Sequence, residues 1–198
     1  MKNILFLFLF TIILIGCKED SITEPEPPEP SASEHTIYNV PADTGSHNRI
    51  TYFRFSDSTI VTGSDTATAN WDIAFKSTTI YTNSGSSGPG QGAAVVFRGV
   101  NFSDVIFAPD TGFNIDAAGA PAIPTGSGNG WYNYDFSTNV ISPLPGVVLV
   151  VKTGDGKYAK AEILSYYKDA PENPTGSEPA RYYTFKYLYQ PDGSKNLE

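Results

Sequence analysis

Five consecutive apolar residues, Val147-Val148-Leu149-Val150-Val151, constrain the fold of this chain more than any other stretch. Four are β-branched and no helix start signal precedes them, so the run reads as a strand covered on both faces. Gly154-Asp155-Gly156 ends it, and Asp-Gly is a hairpin signal because both residues tolerate positive φ. The returning segment, Lys157 to Tyr167, alternates. Tyr158, Lys160, Glu162, Leu164 and Tyr166 fall on one side, and Ala159, Ala161, Ile163 and Tyr167 on the other. After a Pro-, Glu- and Gly-containing loop (Asp169 to Pro179), Arg181 to Gln190 supplies a third strand with Tyr183, Phe185, Tyr187 and Tyr189 on one face. Three strands joined by polar turns make an antiparallel meander, and its tyrosine ladder is expected to be core.

Upstream, the same period of two recurs in short pieces. Thr36 to Val40 is a candidate strand, and Ile50 to Phe55 sets Ile50 and Tyr52 opposite Phe53 and Phe55. Thr59 to Thr62 follows a Ser-Asp-Ser turn. Trp71, Ile73 and Phe75 alternate inward, and Thr78 to Thr82 is read as a continuation of that strand. Asn83 to Gly92, rich in glycine, lacks the Gly-Lys-Ser/Thr ending of a phosphate loop and reads as a mobile hairpin tip. Ala93 to Phe97 and Asp104 to Phe107 are further strands. Pro109 to Gly130 is a long connection of the kind that is usually functional or disordered. Aromatic residues make up 13% against 17% charged, which favours pleated sheet. No segment keeps a 3.6-residue period, so the fold expected is all-β, antiparallel sheets in a sandwich or barrel with long loops.

The N-terminus has a different character. Met1-Lys2-Asn3 precedes an apolar stretch from Ile4 to Ile15, which is signal-peptide length and too short for a bilayer span. Leu14-Ile15-Gly16-Cys17 resembles the lipobox of bacterial lipoproteins, which makes Cys17 the lipidated residue. The alternative, an ordinary secretory leader, lacks a clear small-x-small cleavage site. Ser21 to Glu34 alternates Pro and Glu and reads as a stiff tether. The expected organisation is therefore a signal peptide over 1–16, lipidated Cys17 and tether over 17–34, and one β domain over 35–198. Cys17 is the single cysteine, so the domain holds without disulfides. A net charge of −8 with no basic stripe argues against nucleic-acid binding.

Catalytic signatures are absent from the sequence. No Gly-x-Ser-x-Gly elbow accompanies the two histidines, and zinc-ligand spacing is lacking. Asp72, Asp135 and Glu162 are the carboxylates that a glycoside-cleaving pair would draw on. Asp110 to Asp116 has oxygen side chains at its first, fifth and seventh positions. It lacks those at the third and twelfth positions of a calcium loop, so it reads as a turn with calcium the weaker alternative. Iron in haem takes His, Met, Cys or Tyr. Met1 leaves with the leader and Cys17 is lipidated, which leaves His35 at the tether junction, His47 in a loop, and the tyrosines. Tyr132 and Tyr134, in Trp131-Tyr132-Asn133-Tyr134, follow the long loop where a pocket mouth is expected. Packing in the sheet, with hydroxyls at the rim, is the plainer reading of both.

Three pieces in order, "NWDIAFKSTTIYTNSG" from Asn70, "GSGNGWYNYD" from Gly126 and "VKTGDGKYAKAEILSYYKDAPENPTG" from Val151, resemble the HmuY family of bacterial haem-binding lipoproteins. The resemblance spans about residues 35–195. It implies an all-β fold and a non-enzymatic protein that binds haem or a related porphyrin. It also implies haem or haemoproteins as partners and delivery to a TonB-dependent outer-membrane transporter. Lys18-Glu19-Asp20 then resembles a surface-export tag, which places the protein on the outer membrane, exposed, and held to the membrane through its lipid alone. Haem-binding relatives use paired His, or Met, from two strand ends beside the pocket. At the later of these positions this chain has Thr138-Asn139-Val140, so the usual ligands are not evident. The haem-pocket candidates are Trp131, Tyr132, Tyr134 and Asn139, with Tyr132, Tyr134 and His47 as iron-donor candidates. A non-enzymatic surface module of the same fold, binding a glycan, another hydrophobic ligand or a protein, is the alternative.

Overall fold

A computed structural model describes residues 31–198. The leader, Cys17 and most of the tether lie outside this range. The strands are β1 (Ser33–Pro41), β2 (Thr51–Arg54), β3 (Thr59–Val61), β4 (Ile73–Lys76), β5 (Thr79–Thr82), β6 (Ala93–Arg98), β7 (Tyr132–Asp135), β8 (Val140–Pro143), β9 (Val147–Lys152), β10 (Tyr158–Tyr167) and β11 (Ala180–Gln190). They form a five-stranded sheet ordered β1-β11-β10-β9-β6, a four-stranded sheet ordered β3-β2-β4-β5, and the β7-β8 hairpin. All named pairings are antiparallel. The sheets stay open, so the architecture is a sandwich and not a closed barrel. No described helix is long and apolar enough to cross a membrane.

The apolar run explains the layering. Val147, Leu149 and Val151 enter the core between the sheets, while Val148 and Val150 point the other way into a second cluster with Phe102, Val105, Leu188 and Leu197. Both faces of β9 are covered, as an uninterrupted run requires. Between the sheets, Phe53 meets Phe185 at 5.3 Å and Phe75 meets Tyr183 at 4.5 Å, both within the range of favourable ring pairs. The ladder Tyr183, Phe185 and Tyr187 is fully buried. Its hydroxyls find partners across the sandwich: Tyr183 donates to the Ser77 carbonyl at 2.9 Å and Tyr187 to the Phe55 carbonyl at 2.8 Å.

Several elements depart from the sequence reading. Thr78 to Thr82 does not continue β4 but folds back on it, Lys76 pairing with Thr79 through a tight turn in which Ser77 takes φ 51. Trp71 is buried but lies before β4. It joins Ala74 and Val61 on the outer face of the four-stranded sheet, opposite Ile73 and Phe75. Register shifts near Ser165 turn Tyr166 onto the core side with Tyr167. Asp104 to Phe107 is not a strand, since Phe102–Asp104 forms a 3-10 turn. Buried Lys160 fixes that turn by donating to the Phe102 and Val105 carbonyls, each at 3.0 Å. The β9-β10 turn needs positive φ only at Gly156, and the Thr153 amide donates to the Lys157 carbonyl at 2.8 Å, which closes a three-residue loop, Gly154 to Gly156, in place of a two-residue one. β1 begins at Ser33, three residues before the candidate strand that starts at Thr36.

The glycine-rich segment is not a hairpin tip, because β5 and β6 belong to different sheets. It wraps around Asn83, which is fully buried and donates to the Thr68 and Trp71 carbonyls at 2.9 and 2.8 Å. Its carboxamide oxygen accepts from the Gly90 amide at 2.9 Å. A Cβ on Gly88, Gly90 or Gly92 would meet Asn83 atoms at under 3.0 Å, so the glycines serve close approach.

Candidate functional site

The β7-β8 hairpin carries most of the sequence-predicted site. Alternation along β7 leaves Tyr132 and Tyr134 half-buried on one face and Asn133 and Asp135 exposed on the other. The turn is set by Asp135, whose carboxylate accepts from the Ser137 amide at 2.8 Å and its hydroxyl at 2.7 Å. The Ser137 hydroxyl contact, above all, holds the Asp135 carboxyl below its ordinary range. Asn139 closes the turn at φ 59, a conformation asparagine tolerates better than most residues.

Trp131 stands apart from the other candidates. It is 2% exposed, donates its indole N–H to the Thr78 carbonyl at 2.9 Å, and packs on Tyr166 and Tyr183. It therefore anchors the hairpin to the core. Tyr132 lies between, its ring 5.0 Å from Trp131 and against the core cluster. Tyr134 and Asn139 are brought together, the phenol donating to the carboxamide oxygen at 2.6 Å. Phe136, 83% exposed, sits edge-on to Tyr134 at 4.8 Å. An exposed phenyl ring beside an oxygen donor is a surface on which a flat apolar ligand can lie. Rotating the Asn139 carboxamide exchanges its acceptor for a donor, so it can pair with Tyr134 as phenol or as phenolate.

His47 is exposed in the loop between β1 and β2. No hydrogen bond or ring contact among the described residues joins it to Tyr132 or Tyr134. Asp43 organises that loop by accepting from the Arg49 amide at 3.0 Å, which keeps its carboxyl below the ordinary range. Among the described residues no group of three or more His, Cys, Asp or Glu could hold a metal ion.

The remaining carboxylates have structural partners. Asp116, 1% exposed, accepts from the Thr82 amide (3.1 Å), the Thr82 hydroxyl (2.9 Å) and the Ala122 amide (2.8 Å). It pins the long loop to β5, which replaces the calcium reading of its segment. Asp72 accepts from the Phe55 and Gly154 amides at 2.7 and 3.0 Å, and burial pushes it up to about 6 despite those bonds. Glu162 pairs with Lys186 at 3.0 Å. Asp72, Glu162 and Asp135 thus serve an intersheet junction, a cross-strand ion pair and a turn.

Sequence reasoning missed a second feature of the surface. On the outer face of the four-stranded sheet lies an open cleft of about 610 Å³. Its walls include Tyr52, Tyr81 and the Ala117–Gly119 part of the long loop. The signal was present in the sequence as alternation, since Tyr52 and Tyr81 occupy positions opposite to the core-facing Phe53 and Ile80. Finding the cleft needed the pairing of β2, β4 and β5, which places those two side chains on one face.

The family described as HmuY protein matches residues 46–187. A crystal structure of a Bacteroides vulgatus protein described as HmuY-like and haem-binding is 23% identical, with a TM-score of 0.52 over 78% of this chain and 90% of that one. The apo HmuY analogue of Tannerella forsythia is 16% identical, with a TM-score of 0.56 over 83% and 100%. A Bacteroides fragilis protein described as a lipoprotein is 18% identical, with a TM-score of 0.50 over 81% and 92%. These likenesses establish the fold alone. No curated protein matches the chain.

Proposed function

The chain belongs to the HmuY family, and from that premise we propose that it is a non-enzymatic protein that binds haem or a related porphyrin. One observation carries the reading to a place. At the turn that the family resemblance marks as a ligand position, this chain has Tyr134 hydrogen-bonded to Asn139, with Phe136 exposed beside them. Phe136 would carry the face of the porphyrin and Tyr134 would be the iron donor, with Asn139 able to donate to its phenolate. Tyrosinate is an established haem ligand where a neighbour stabilises it. Tyr132, packed on the core, borders the site, and His47 and Trp131 take no part in ligation.

The leader and Cys17 extend the proposal to a lipid-anchored protein of the outer membrane, facing outward, that passes its porphyrin to a TonB-dependent transporter. Spectroscopy of the haem complex tests the assignment. Wild type is expected to show the high-spin ferric spectrum and phenolate-to-iron charge-transfer band of tyrosinate ligation. Tyr134→Phe loses that band, while Tyr132→Phe and His47→Ala keep it. A band that persists in Tyr134→Phe removes Tyr134 as the ligand.

A further inference from the structure

Across the four-stranded sheet, Tyr52 pairs directly with Ala74, and Ala74 with Tyr81. Adjacent strands lie about 4.8 Å apart, so the two phenols rise from the sheet roughly 10 Å from each other with a single methyl between them. The slot is pre-organised. Buried Trp71 meets Tyr52 edge-on at 4.9 Å, and its indole N–H is already donated to the Thr66 carbonyl at 3.0 Å. On the far side, the Ala117 and Ala120 amides and carbonyls bond reciprocally at 2.9 Å, forming a tight turn whose side chains are no larger than methyl. A wall of that kind gives access to the tyrosine faces.

The chemistry of the lining is selective. No charged side chain contributes to the cleft, whose polar character comes from hydroxyls: those of Tyr52 and Tyr81, and of Thr79, Ser86, Ser87 and Thr125. None of these six hydroxyls bonds to another described protein group. An anionic ligand would lose hydration here without gaining a counter-charge. A wholly apolar one would leave the hydroxyls unpartnered. A neutral ring with apolar C–H faces and a hydroxylated rim satisfies both, laying its faces on the phenols and its rim on the serines and threonines. The volume lies within the range of ordinary ligand sites, about 300–1,000 Å³.

We propose that this cleft binds a neutral oligosaccharide, with one pyranose ring seated between Tyr52 and Tyr81 over Ala74. The site shares no residue with the Tyr134-Asn139 hairpin, and the proposal does not rest on the porphyrin reading. A glycan array probed with the mature protein, followed by affinity electrophoresis in the neutral polysaccharide it selects, provides the test. Tyr52→Ala and Tyr81→Ala are each expected to weaken retention about tenfold, the scale of one lost aromatic contact. Ala118→Trp, at an exposed position of the turn that lines the cleft, is expected to fill the mouth and abolish retention. All three leave a haem titration unchanged. Failure to retain any neutral glycan, retention confined to acidic glycans, or retention undiminished by Ala118→Trp overturns the proposal. So does loss of haem binding in Tyr81→Ala, which would assign the cleft to the porphyrin.

Discussion

Replacing Asp116 by alanine tests whether one buried carboxylate holds the long loop to the sandwich. The side chain is 1% exposed and receives three hydrogen bonds, two of them from backbone amides, those of Thr82 and Ala122. In Asp116→Ala the Thr82 hydroxyl keeps its contact with the Ser84 hydroxyl at 2.8 Å, so two amides are left without acceptors. An orphaned buried donor costs about 1–3 kcal/mol, giving roughly 2–6 kcal/mol with ~4 as the central value. In a domain of this size that lowers Tm by about 8–16 °C. Asp116→Asn is the sharper comparison. Its carboxamide oxygen can replace Oδ1, which serves Ala122 and the Thr82 hydroxyl, while its amide confronts the Thr82 N–H. One lost bond predicts about 1–3 kcal/mol. Urea unfolding of the three proteins gives the difference, read as a shift in midpoint at unchanged slope. A loss below about 0.5 kcal/mol in Asp116→Ala, within the range of ordinary surface substitutions, would refute the reasoning. Equal losses in the two variants would refute the count of bonds.

Asp72 predicts a pH dependence. Burial raises its carboxyl to about 6 against an ordinary 3.8, so between those values the folded protein holds a proton that the unfolded chain has released. Stability from this group therefore falls as pH rises from about 4 to 6, by on the order of 3 kcal/mol, and levels above that. Unfolding of wild type and Asp72→Asn across pH 4–7 should show wild type losing ground relative to the variant through that window; a constant difference contradicts it. Asn139→His places an imidazole at the hairpin turn and should convert the haem complex towards a low-spin, nitrogen-ligated spectrum; an unchanged spectrum would move the iron away from this turn. Cys17→Ala should abolish labelling by radioactive palmitate and release the protein from the membrane fraction, and retained label would contradict the lipid anchor.

Sheet content was legible because it is written locally. The run from Val147 to Val151 and the alternation of Tyr183, Phe185 and Tyr187 each report their burial through side-chain type alone. What was not legible depends on backbone states and partners that residue type does not signal. Ser77 takes a left-handed conformation that serine seldom adopts, so the β4-β5 turn carries no Gly, Asn or Asp to mark it. Asn83, Asp72 and Asp116 look like surface polar residues until the elements that surround them are in place. The sequence puts Tyr134 and Asn139 in one candidate pocket, whereas their direct contact is a property of the hairpin register, which pairs Tyr134 with Ile141. Trp131, grouped with them in sequence, alternates into the core.

The proposed function depends on the affinity of this fold for an iron porphyrin. Titration of the purified mature protein with ferric haem, followed through the Soret band, measures it directly. A haem-binding protein is expected to give a saturable shift of the band that reaches its end point at one haem per chain and is altered by Tyr134→Phe. A spectrum that stays that of free haem at every ratio contradicts it.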